Sequence, residues 1–197
     1  MQEMSRRKAL GVFGALGAGT VAALGAAGTA TAGPSVNRVA SPLGPLNWPR
    51  PELTNPQTIE LGTGFTDTDL DVNTDYIIKL PPTVKNGATI LRGGNKVVIV
   101  GGHIRLPAYT GLSARSRALF ITGNTGVVHI EGVLIDTSAD GQGDALAIQA
   151  SDSIVQVQNC RFVNILGASS EFHGDIIQPW GGVRELRVDR FTASSNY

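Results

Sequence analysis

The chain has 197 residues, 42% of them hydrophobic and only 16% charged, with 25 glycines. Sixteen basic and sixteen acidic residues cancel, so no electrostatic footprint for nucleic acid is present. A single cysteine excludes an internal disulfide and any cysteine-based metal or redox motif.

The first thirty-two residues read as an address. Ser5-Arg6-Arg7-Lys8 precedes a Gly/Ala-rich, weakly apolar run from Gly11 to Gly28, and Ala30-Thr31-Ala32 supplies the small residues of a cleavage site. That order is an export signal, and the arginine pair before a mild apolar region resembles the twin-arginine type. The mature chain is then expected to begin at Gly33, to be bacterial, secreted and monomeric, and to have no membrane attachment. Removing the leader leaves thirteen basic residues against fifteen acidic ones.

Residues 33–57 carry Pro34, Pro42, Pro45, Pro49, Pro51 and Pro56, a density that suppresses helix and ladder formation. An extended linker, free or lying along the body, is expected there. From Thr58 to Leu80 the chain is polar and rich in aspartate (Asp67, Asp69, Asp71, Asp75) and ends in the strand-like Tyr76-Ile77-Ile78-Lys79-Leu80. The Asp spacing is that of a calcium loop without its central Gly and distal Glu, so a solvated cap over the open end of the solenoid is the reading.

A pattern then comes round four times. The copies are Ala88–Ile104, Ala118–Ile135, Leu146–Phe162 and Ile176–Phe191, each a short apolar strand, a polar turn and a second strand of Val, Ile and Leu. Strand–turn–strand units at a period of roughly thirty residues, with no helical stretch between them, predict a coiled solenoid of parallel strands. Aligning the first strands places Arg92, Thr122, Gln149 and Gln178 in one column. Aligning the second strands places Val100, Ile130, Val157 and Val188 in another. The two alignments differ only in the last copy, where Pro179-Trp180-Gly181-Gly182 lengthens the turn by two residues. Alternation along the second strands sends Val98, Val100, Val128, Ile130, Val155, Val157, Leu186 and Val188 inward, and His129, Gln156 and Arg187 outward. Cys160 falls in one column with Val133 and Phe191, the place of a small buried hydrophobe.

These repeats resemble the right-handed parallel β-helix proteins of the pectin-lyase-like type. The match rests on the G-N/T-x-V-x-I-x-G-x-x-I pattern of Gly94–Ile104 and Gly123–Ile135, on the coil length, and on the absence of helix signals. It covers roughly Tyr76 to the C-terminus. The resemblance implies an all-β, single-stranded, right-handed parallel β-helix with about four coils visible. Because Tyr197 follows directly on a strand, the solenoid is expected to be incomplete. Members of that group include secreted polysaccharide lyases and glycoside hydrolases, but also adhesins, phage spikes and non-catalytic modules, so fold alone does not choose a function.

The best concentration of chemistry is Glu171-Phe172-His173-Gly174-Asp175-Ile176-Ile177-Gln178-Pro179-Trp180. In the first-strand alignment His173 lies over Asp144 on the coil below, with Asp175 two residues on, and Gln149 and Gln178 form an outward amide ladder. His173, Asp175 and Asp144 are thus the candidate acid–base group. Gln149, Gln178, Trp180 and Arg187 are the candidate sugar contacts. Asp136 and Asp140 lie on the loop into the third coil, and His103 and His129 read as solvent-facing or turn residues. The adjacent Asp-Asp pair and Gly-His-Gly element expected of polygalacturonase-like hydrolases do not occur. The acidic ligands and nearby basic residue of a calcium-dependent pectate lyase could be cast from Asp144 and Asp175 with Arg184 or Arg187, which leaves calcium open as a cofactor.

The leading expectation is a secreted protein acting on an acidic polysaccharide, as a lyase or glycoside hydrolase. The alternative is a non-catalytic glycan-binding or surface-adhesion module, in which Asp and Gln side chains bond sugar hydroxyls while Trp180 stacks on a pyranose face; in a third reading His173 and Asp175 serve only to bond the backbone at a turn.

Overall fold

The computed structural model of the protein describes residues 44–106, 116–137, 143–167 and 173–196, which are entirely strand and connecting turn. Residues 1–32, the expected export leader, and Asp140 lie outside them. Every strand pairing is parallel, and the strands stack as a β-solenoid of about four turns. Three faces wind around one interior.

The first face holds β1 (Gln57–Glu60), β3 (Tyr76–Lys79), β6 (Val97–Val100), β9 (Val127–Glu131), the later half of β11 (Asp144–Gln158) and β14 (Val183–Asp189). The second face holds β2 (Thr66–Leu70), β5 (Thr89–Gly93), β8 (Arg117–Thr122), the earlier half of β11, and β13 (Ile177–Gln178). The third holds β4 (Lys85–Asn86), β7 (His103–Arg105), β10 (Leu134–Asp136), β12 (Arg161–Ile165) and β15 (Thr192–Ser195). One long strand, β11, serves two faces by bending where its pairing with β14 slips between Ala150 and Ile154.

Like residues stack inside. Val97, Val128 and Val155 form one column, Ile99, Ile130 and Val157 the next, and Ile104, Ile135 and Phe162 a third, all at most 1% exposed. Each such side chain contributes about 1.5–3 kcal/mol by leaving water. Cys160 lies in this core beside Val133, as its column predicted.

The corner between the first and third faces repeats a backbone conformation. Gly101, Gly132, Asn159 and Arg190 occupy this corner in successive coils, all with φ between 49° and 68°. The first three donate their N–H to the next coil at 2.7–3.1 Å. Left-handed φ favours glycine and tolerates asparagine; only Arg190 departs from that preference.

The structure changes three details of the repeat. In the first copy Val97 and Ile99 point inward, and Val98 and Val100 point outward, with Val100 43% exposed. Ile130 accordingly pairs Ile99, not Val100. Gly126 lengthens the second copy's turn by one residue, and the unbroken Val97-Val98-Ile99-Val100 run gives no alternation from which to read the phase. In the last copy Gln178 pairs Ala147, not Gln149. The extra residues at 179–182 are real, but the slip opposite Ala150–Ile154 compensates for them, so both halves of the coil keep one spacing. Leu186 and Val188 pair with the buried Val155 and Val157 yet remain 36% and 41% exposed, because among the described residues no coil stacks beyond them.

The Asp-rich segment is no separate cap. It supplies β1, β2 and β3 to the same sheets, with the outward Asp67 bound to Arg92 of the next coil at 2.7 Å. The proline-rich residues 44–56 run along the first face from the last coil back to the first. Arg190 holds the carbonyls of Gly44 and Pro45, Gln158 bonds both the N–H and C=O of Trp48, and Arg50 binds Glu131 at 2.6 Å. Farther down, Lys96 holds the Glu52 carbonyl, and Thr54 N–H donates to Asp75. Proline cannot join a ladder, so this segment is held by side chains reading its backbone.

Candidate functional site

The second face holds the candidate residues at the start of the last coil, in a shifted register. Asp144 opens β11 and is 7% exposed. Asp175, not His173, is its neighbour on the coil above. The Asp175 N–H donates to Asp144 Oδ1 at 3.1 Å, and the Asp175 C=O accepts from Ala145 N–H at 2.9 Å. His173 is exposed and stays near enough for its charge to favour the Asp144 carboxylate.

Burial pushes the Asp144 carboxyl above its ordinary value, and the negative charge of Asp175 adds to this. The N–H of Asp175 and the charges of Arg117 and His173 oppose it without cancelling it. Two carboxylates thus lie on adjacent coils, one of them with its carboxyl shifted upward, which is a pair that acid–base chemistry can use. Gln178 Nε2 donates to Asp175 Oδ2 at 2.8 Å, so this amide positions a carboxylate rather than completing a ladder with Gln149.

Two further residues belong here. Arg117 opens β8 in register with Asp144, its Nε 3.6 Å from Asp144 Oδ2. Its guanidinium lies over the rings of Phe120, at 5.3 Å, and Trp180, at 5.7 Å. The two rings are 6.4 Å apart and tilted by 32°. Trp180 is 55% exposed, while Phe120 packs with Ile90 and Ala147 as a small apolar patch on the outer face. The column through Arg92, Thr122 and Gln149 already implied that Arg117 meets Asp144; taking the repeat to begin at Ala118 hid it.

Gln149 faces out in the Thr122 column and lies beneath the turn that carries Trp180. A Cβ built on Gly181 would come within 2.1 Å of its Cγ, so only glycine lets this turn close on Gln149. Arg187 stands apart. It is on the first face, bound to Glu185 at 2.7 Å and set over the Trp48 ring at 5.8 Å, because β14 turns away from the face that β13 occupies.

Neither of the other histidines is a bare surface residue. His129 is fully buried beneath residues 44–56, with Nδ1 2.9 Å from Gln156 Oε1 and Nε2 3.1 Å from Glu131 Oε2. His103 Nε2 lies 2.6 Å from Asp136 Oδ2, and Arg105 grips the same carboxylate. Among the described residues no three His, Cys, Asp or Glu groups are arranged to hold a metal ion.

No family model, no curated protein and no solved structure matches the chain.

Proposed function

We propose that this is an exported polysaccharide-active protein, of the pectin-lyase-like kind, whose second face works on a glycan strand lying along the solenoid. The observation that carries the reading is the Asp144–Asp175 pair, with its one raised carboxyl, next to the exposed ring of Trp180. Asp144 is the proton donor, Asp175 the ionised partner held by Gln178, and His173 the base at the rim. Trp180 and Phe120 offer apolar faces to a pyranose ring, and Arg117 faces a uronic-acid carboxylate.

Reducing-end and unsaturated-product assays on plant, algal and bacterial glycans test this. On a confirmed substrate, Asp144→Asn and Asp175→Asn each abolish turnover, while Trp180→Ala mainly raises KM. Full activity in Asp144→Asn overturns the assignment.

The second reading, binding without chemistry, is favoured by one observation: both carboxylates are already committed to backbone and side-chain bonds within the protein. In that case glycan retards the protein on an affinity gel without product, and Trp180→Ala alone removes the retardation.

A further inference from the structure

A second site lies at the corner between the first and third faces. That corner takes Leu80–Val84 in one coil and only Gly101 and Gly102 in the next. The mismatch leaves an open cavity of about 580 Å³, walled by Leu80, Pro81, Pro82, Val84 and Val100, with His103 at its edge. Gly102 keeps the wall tight, since a Cβ there would meet Leu80 at 2.6 Å. His103 is the one ionisable side chain on this lining.

The imidazole is held from behind. Its Nε2 is 2.6 Å from Oδ2 of Asp136, a residue 7% exposed and one coil further on. Arg105 Nε donates to the other oxygen of that carboxylate at 3.0 Å, and its Nη2 reaches Oδ2 at 3.4 Å. Asp136, ion-paired with Arg105, accepts from His103 Nε2, and this contact selects the Nε2–H tautomer of the ring. Nδ1 is left as an acceptor. The same column continues as Leu134 and Arg161, so the histidine is particular to this cavity.

We propose that the cavity binds a small apolar molecule carrying one hydroxyl, of the phenol or aromatic-alcohol class. Its ring packs on Pro81, Pro82 and Val100, and its O–H donates to Nδ1 of His103. The site is separate from the carboxylate pair on the second face and does not depend on it.

The test uses the whole protein, ¹⁵N-labelled, titrated with phenol, toluene and benzoate while the imidazole nitrogens are followed by NMR. Phenol is expected to saturate in the millimolar range, to shift Nδ1 of His103, and to bind more tightly than toluene. His103→Phe keeps an apolar wall and should weaken phenol about tenfold, the worth of one hydrogen bond, while leaving toluene unchanged. An absence of saturable change, equal binding of phenol and toluene to the native chain, or tighter binding of benzoate than phenol overturns the proposal. The comparison of ligands on the native chain stands even where a variant folds poorly.

Discussion

The backbone N–H of Asp175 donates to Oδ1 of Asp144 at 3.1 Å, so two carboxylates meet across neighbouring coils through one strand-to-strand contact. The contact satisfies one oxygen of Asp144 without neutralising its charge, and burial then keeps the carboxyl above its ordinary value of 3.8. A raised carboxyl pKa adds stability that is complete below the ordinary value and is lost as pH rises through the raised one. Asp144→Asn retains the Oδ1 acceptor and removes the charge. Urea denaturation should therefore show the variant gaining on the native chain as pH goes from acid to neutral. A gap that moves the other way contradicts the direction of the shift.

Residues 44–56 should release as a unit when one clasp is cut. Gln158 makes two bonds to the Trp48 backbone, at 3.1 and 2.8 Å, partly buried. Gln158→Ala is expected to cost about 1–2 kcal/mol and to accelerate proteolytic cleavage within this segment. Arg50→Ala removes a more exposed pair and should cost about 1 kcal/mol or less.

Two glycines with positive φ should respond unequally to alanine. Gly132 has φ 67°, and an added Cβ would meet only Gly101 at an ordinary contact distance of 3.8 Å, so Gly132→Ala meets only the backbone penalty, about 1 kcal/mol. At Gly143 the added Cβ would lie 1.8 Å from the Ser116 carbonyl oxygen. That substitution is expected to cost more than about 3 kcal/mol. Thermal melts of the two variants make the comparison.

Cys160 should be inert until the solenoid opens. Burial pushes its thiol up to about 11, and it is 2% exposed. At neutral pH a chromogenic disulfide reagent should react with it only after denaturant is added. Rapid labelling of the native protein would place it outside the core.

The repeat was legible because a parallel solenoid writes itself into sequence twice, as strand alternation and as coil spacing. Val128, Ile130, Val155 and Val157 were assigned inward from that pattern, and each is fully buried. The same logic failed where alternation was missing, in Val97-Val98-Ile99-Val100, and where a two-residue insertion was compensated a few residues later by the slip in β11. Of the residues gathered at this end of the second face, Asp144, Asp175, Gln178 and Trp180 were named from the sequence pattern. Arg117 and Phe120 were not, although the column through Thr122 pointed to them. His129 looked exposed because strand parity says which way a side chain points and not what lies on top of it.

By itself the sequence determined the parallel coil architecture, because apolar residues recur with period two along each strand and at a near-constant spacing between coils. Only the tertiary structure decided which carboxylate lies beside which, since moving the last coil by two residues exchanges His173 for Asp175 above Asp144 while leaving every apolar residue facing inward. It also decided that residues 44–56 lie across the first face. Those contacts are made by backbone groups of a proline-rich segment to the distant side chains Gln158, Lys96 and Arg190. A bond to a backbone carbonyl or N–H leaves no residue-specific mark on the segment that offers it.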